Sequence, residues 1–134
     1  MGTVRDGRAM IAQMDPLLDE ARWCFVAVTP DRAPEWLGAA IGTFREDEGV
    51  SAIVPAALAP EGTPQFARIT LQVHSDLEGV GLTAAVANAL AEAGIACNMV
   101  AALHHDYAFV PAGDANRAVE MLEGLQAGAQ NRAG

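Results

Sequence analysis

Between Phe66 and Gly94 the hydrophobic pattern changes period once, and that change restricts the chain more than any other feature. From Phe66 to His74 the residues alternate, with Ala67, Ile69, Leu71 and Val73 on one face and Arg68, Thr70, Gln72 and His74 on the other. A period of two predicts a strand with one buried face. From about Val80 to Ala93 the spacing lengthens: Leu82, Val86 and Leu90 lie four apart, and Ala85, Ala89 and Ala93 widen their stripe. This predicts an amphipathic helix, which Gly94 stops by supplying a left-handed C-terminal residue.

The residues that follow extend the pattern. Ile95 to Leu103 is nearly all apolar and reads as a strand; His104-His105-Asp106 breaks it, and Tyr107 to Val110 resumes as a short strand ending at Pro111. Two strands about a tight polar turn form a hairpin. Asp114 is placed to cap a second helix with apolar positions Ala118, Val119, Leu122 and Leu125. The order strand, helix, strand, strand, helix predicts an α+β sandwich, two helices on one face of an antiparallel sheet. Gln126 to Gly134 is rich in Ala, Gly and Asn and is expected to fray.

The first half repeats this less completely. Arg22 to Val28 reads as a strand, Leu37 to Phe44 leads into the polar turn from Arg45 to Gly49, and Val50 to Val54 returns. Both hairpins leave through the same tripeptide, Val54-Pro55-Ala56 and Val110-Pro111-Ala112, which suggests a duplication. Thr29 to Trp36, with Pro30 and Pro34, is too short for a helix like that from Val80 to Ala93, so the first module reads as abbreviated. Ala56 to Pro64 reads as a helical turn or a linker. The expected division is 10–62, 63–127 and a frayed tail over 128–134.

Composition removes whole classes of function. Formal charge is −9, from 17 acids against 8 bases, and every base is a scattered Arg. Without Lys there is no Schiff-base nucleophile, P-loop or pyridoxal chemistry. Without a basic stripe nucleic acid is not a partner, and the negative charge opposes anionic membranes. No run approaches the roughly 18 apolar residues of a membrane helix. The segment Met1 to Arg8 mixes charges and lacks the apolar core of a signal peptide, so a cytoplasmic protein is expected. Cys24 and Cys97 sit in separate apolar runs and read as buried thiols in a reducing compartment. The two serines, Ser51 and Ser75, lie in no nucleophile elbow, and the turn Glu46-Asp47-Glu48 reads as a solvated hairpin tip. Nothing indicates an enzyme or calls for a cofactor.

Chemistry is concentrated at one edge. In the predicted topology the end of the Phe66 strand, the start of the next helix and the hairpin turn share an edge. It gathers His74, Ser75, Asp76, Gly79, Gly81, His104, His105 and Asp106. The free N–H groups of a glycine-led helix start suit a carboxylate, and Asp106 suits an ammonium group. The plainer alternative is that Asp76 only caps the helix and Asp106 only shapes the turn. A metal site on His74, His104 and His105 is a further alternative, although adjacent histidines are an unusual chelating pair.

The residues HSDLEGVGLTAAVANALAEAGIACNMVAA, His74 to Ala102, resemble the core of an ACT domain, with Asp76-Leu77-Glu78-Gly79 as the turn before the helix and Ala91-Glu92-Ala93-Gly94-Ile95 as its end. GTFREDEGVSAIVP (Gly42 to Pro55) and HHDYAFVP (His104 to Pro111) are similar to small bacterial tandem-ACT proteins, distant relatives of cytosolic arginine sensors. The resemblance implies two ferredoxin-like (βαββαβ) modules packed together, the first abbreviated, forming a regulatory or sensory unit. Its ligand would be a free amino acid held between modules. Carried over residue by residue, the binding set is Asp76, Gly79, Val80, Gly81 and Leu82 with Asn98, Leu103, His104 and Asp106, the last holding the ammonium group. The sequence departs from the family at Glu78, where Pro is usual, and in the additional Gly81. The resemblance leaves room for a homodimer. The competing expectations are the histidine metal site and a ligand-free assembly module.

Overall fold

The computed structural model describes residues 3–133. Gly134, the end of the expected frayed tail, lies outside these, as do Met1 and Gly2 of the charge-mixed N-terminal segment. In chain order the elements are α1 (Gly7–Ala12), β1 (Leu17–Ala27), α2 (Ala33–Ala39), β2 (Gly42–Glu46), β3 (Gly49–Pro55), β4 (Phe66–Leu71), α3 (Leu82–Glu92), β5 (Asn98–Ala101), β6 (Asp106–Pro111) and α4 (Ala115–Ala133). They fall into two compact units: residues 20–66, and the residues up to Asp19 together with those from Ala67 onward.

In the unit of residues 20–66, β3 lies between β1 and β2 and is antiparallel to both, with Cys24 opposite Val54 and Phe44 opposite Ser51. Two expectations change here. The strand β1 begins at Leu17 rather than Arg22, and residues 37–39, read as leading into the hairpin, instead complete a short helix that starts in the proline-bearing segment. Pro34 sits in the first turn of α2, where its missing N–H costs nothing and its fixed φ favours the helix. The segment is therefore shorter than α3 but is a helix, and it buries Trp36 on Ala52 and Val54.

In the other unit β6 lies between β4 and β5, with Asn98 opposite Phe109 and Ala101 opposite Asp106. The alternation predicted for the Phe66 strand is present: Ala67, Ile69, Leu71 and Val73 are buried, and so are Leu82, Val86 and Leu90 of α3. Gly94, at φ 74°, closes α3 in a Schellman arrangement, with Ile95 N–H donating to Leu90 O and Gly94 N–H to Ala91 O, both at 2.9 Å. Ile95 therefore belongs to the helix cap and the core, which is why β5 starts at Asn98 and is shorter than its apolar run.

The repeated Val-Pro-Ala tripeptide has one backbone form in both places. Pro55 (φ −54°, ψ 136°) and Pro111 (φ −51°, ψ 135°) each lead into a single 3₁₀ turn, Ala56–Leu58 and Ala112–Asp114. The expected frayed tail is helical instead: α4 runs to Ala133. Its later turns are tied by side chains, because the Gln126 and Gln130 amides both donate to Ala12 O at 3.0 Å and Gln126 also reaches Asp15 Oδ1 at 2.6 Å. The helix α1 packs against α3 and α4, so the N-terminal residues belong to the unit that contains the second module.

Candidate functional site

Beyond β4 the chain does not turn directly into α3. It runs past Val4, whose N–H donates to His74 O at 2.6 Å and whose carbonyl accepts from Asp76 N–H at 2.9 Å, a short parallel bridge. This fixes Ser75, 7% exposed, facing the first residue of β6. There the Ser75 hydroxyl donates to Asp106 Oδ2 at 2.7 Å, and Asp106 is itself only 9% exposed. Its cross-strand partner is Ala101, whose small side chain leaves space on the same face. A buried carboxylate is costly without partners, and Ser75 supplies one hydrogen bond.

The loop then prepares the helix start. Asp76 Oδ1 accepts from Glu78 N–H at 2.8 Å and Asp76 O from Gly79 N–H at 2.9 Å, so the aspartate shapes this turn. The N-cap of α3 is Gly81, in the left-handed region at φ 115°, with no side-chain cap. The first turn's N–H groups, which an α-helix leaves without intrahelical partners, have no capping side chain there. Gly79 is required by close packing: a Cβ would lie 2.9 Å from Met10 Cε and 3.0 Å from the carbonyls of Arg5 and Asp76.

These groups border a solvent-open cleft of about 120 Å³ lined by Met10, Ser75, Asp76, Leu77, Gly79, Gly81, Leu82, Thr83, Ala101 and Asp106. All belong to the same compact unit. The cleft combines a buried acceptor, a hydroxyl and an uncapped helix start with apolar walls.

Of the nine residues expected to bind, Asp76, Gly79, Gly81, Leu82 and Asp106 line this cleft. Val80 (81% exposed) and Leu103 (66%) turn outward instead, and His104 is exposed in the hairpin turn. Asn98 is exposed at the far end of β5, an odd number of residues from Ala101 and so on the opposite face. Met10 was not in the set, since nothing local in α1 indicates that it folds over the Gly79 loop. Ser75 stood among the edge residues but was not assigned a binding role.

The three histidines do meet: the His74 ring centroid lies 4.7 Å from that of His105 and 5.6 Å from that of His104. Desolvation, followed by repulsion from His105 and His104, holds the His74 pKa below its ordinary value. Among the described residues, however, no group of three or more His, Cys, Asp or Glu is arranged to hold a metal ion. Cys24 and Cys97 are free thiols in different units, and burial raises the pKa of both, away from the reactive thiolate. Among the described residues no helix is long and apolar enough to cross a membrane.

Comparison with known proteins gives the architecture its family. ACT-domain patterns match twice in tandem, over residues 4–66 and 66–124. The chain belongs to the ACT domain family. A Vibrio cholerae protein of unknown function, described as a possible transport protein, is 37% identical over 85% of this chain and 91% of its own, with a TM-score of 0.74. The Agrobacterium tumefaciens protein Atu0741 shares the fold at 16% identity, covering 78% of this chain and 81% of that one, with a TM-score of 0.59. So does the ligand-free regulatory subunit of aspartate kinase from Thermus thermophilus, at 13% identity, 82% and 96% coverage and a TM-score of 0.59. Among curated proteins, none matches. The ACT assignment makes the chain a tandem of α+β modules of the small-ligand regulatory kind. The cleft between Asp106 and the start of α3 lies in the part matched as the second ACT domain, with Met10 added from the first.

Proposed function

We propose that this tandem ACT protein is a non-catalytic cytoplasmic sensor that binds a free amino acid in the Ser75–Asp106 cleft. The observation that carries this reading is the pairing of a nine-tenths-buried carboxylate with an uncapped helix start across one small cleft. Asp106 takes the ligand's ammonium group, which completes a carboxylate that has Ser75 as its side-chain partner. The N–H groups at the Gly81–Thr83 start of α3 take the carboxylate, helped by the positive end of the helix. Asp76 keeps the loop in shape. The family's habit suggests a ligand between modules, but this cleft draws every lining residue from one compact unit, so we assign the ligand there. Occupancy then biases the arrangement of the strands and loops that it joins, which is how a bound amino acid would be reported.

Calorimetric titration of the free amino acids into the wild type and Asp106→Asn tests this. The wild type binds a subset of them, and Asp106→Asn, which keeps the shape but removes the charge, weakens that binding by about 2 kcal/mol or more. Undiminished affinity in Asp106→Asn removes the site as assigned.

A further inference from the structure

Two spaces meet at Gly81. One is the 120 Å³ cleft just described; the other is a largely apolar open groove of about 320 Å³ lined by Gly7, Arg8, Ile11, Gly81, Leu125 and Ala129. The helix α1 stands between them, presenting Met10 to the first and Gly7, Arg8 and Ile11 to the second. That wall is held at several points. Asp6 caps α1 through Ala9 N–H at 2.9 Å, Val4 bridges to His74 and Asp76, and Gln126 and Gln130 both grip the Ala12 carbonyl. Against the loop, Gly7 lies so close to Val80 O that a Cβ would strike it. Met10, 1% exposed, sets its methyl end 2.9 Å from where a Cβ on Gly79 would stand.

From this geometry we infer that Met10 sets the upper size limit of the ligand, and that the cleft admits only the smallest amino acids: glycine, alanine and serine. The inference rests on the amino-acid reading above and narrows it. An apolar cavity of about 150 Å³ accommodates benzene, so the 120 Å³ cleft holds the zwitterionic core and little beyond it. The cleft is open on the side of Leu77 and Thr83, but a larger side chain directed inward must displace Met10 or force α1 off the loop, and α1 is fixed at both ends. The larger groove lies on the other side of α1, where Gly7 packs against the Val80 carbonyl. Met10 is thus a specificity-determining residue from outside the domain that supplies the charged groups.

The experiment is calorimetric titration of glycine, alanine, serine, leucine and phenylalanine into wild type, Met10→Val and Met10→Ala. In the wild type, the small ligands bind at least about tenfold tighter than leucine, the scale on which a pocket reads one side-chain step. In Met10→Val, and more so in Met10→Ala, that ratio falls through a gain in leucine affinity. Met10→Val keeps the test open if the alanine variant does not fold, and the wild-type ranking needs no variant. Equal wild-type affinity for leucine and alanine, or an unchanged ratio in a folded variant, overturns the size limit while leaving the amino-acid site standing. Binding of none of the ligands, glycine through phenylalanine or any other amino acid, removes both together.

Discussion

The two units share a strand order, with the third strand between the first and second, but treat the start of the helix after the first strand in opposite ways. In the unit of residues 20–66 that place is filled by the chain itself. Trp36 is 4% exposed, its indole N–H donates to Leu58 O at 3.1 Å, and Arg32 reaches the same carbonyl at 2.7 Å while lying 4.4 Å from the indole ring. Pro34 removes one of the first-turn N–H groups. In the other unit the corresponding loop is longer, the helix start is glycine without a cap, and a buried aspartate faces open space. In one copy α2 also lacks a capping side chain, but its Ala33 N–H donates to Thr29 O at 2.9 Å and Trp36 packs over the region. The other leaves its polar groups directed at the cleft proposed as the binding site, where local consistency is commonly given up for function.

The sharpest way to break that comparison is to empty the filled side. Trp36→Ala removes a buried indole from Ala52 and Val54, and is expected to cost about 3–5 kcal/mol in urea unfolding. A loss of about 0.5 kcal/mol or less, the range of an ordinary surface change, would mean that Trp36 is not the group filling this region. Asp106→Asn is the contrasting variant, with its main effect on ligand affinity.

A smaller effect tests the rigidity of the open side. Gly7→Ala adds a methyl against the Val80 carbonyl, and backbone cannot move aside as cheaply as a side-chain end. The better helix propensity of alanine is outweighed, and the expected cost is about 1–3 kcal/mol by chemical denaturation, the range for overpacking. A neutral or stabilised Gly7→Ala would show that the loop yields, and the wall formed by α1 would lose its argument.

What the sequence conveyed and what it concealed divide along local against long-range physics. Periodicity was sufficient for β4, α3 and the first half of α4, because Leu82, Val86, Leu90, Ala118 and Leu122 are buried by the same spacing that marks them. Composition misled at the ends of elements. Ile95 reads as strand but serves a helix cap, and the Ala-, Gly- and Asn-rich tail reads as frayed but is helical and tied by Gln126 and Gln130. Topology brought Asp76, Gly81 and Asp106 to one edge in advance. It did not indicate Met10, whose place depends on a tertiary contact between α1 and the Gly79 loop. Nor did the hairpin reveal that Leu103 and His104 turn outward, since a turn obeys no two-residue period.

The smallest expected effect concerns the histidine rings at the rim of the open side. His74 is packed 4.7 Å from His105 and 5.6 Å from His104, and His105 in turn lies 6.5 Å from Tyr107. Desolvation and then the neighbouring histidines lower the His74 pKa in the folded protein. The unfolded chain, with an ordinary histidine near pKa 6.5, therefore binds more protons than the native state below that pH. Stability must then rise with pH through this window and fall as the medium is acidified from about 6.5 downward. Replacing His74 by Asn, which keeps a polar side chain but cannot titrate there, should flatten the decline in melting temperature between about pH 7 and 5. The change is modest because the ring is partly exposed and its repulsions are screened. An equally steep decline in His74→Asn would assign the acid sensitivity to other groups, and the packed rings would then be a contact of the hairpin with no share in its pH response.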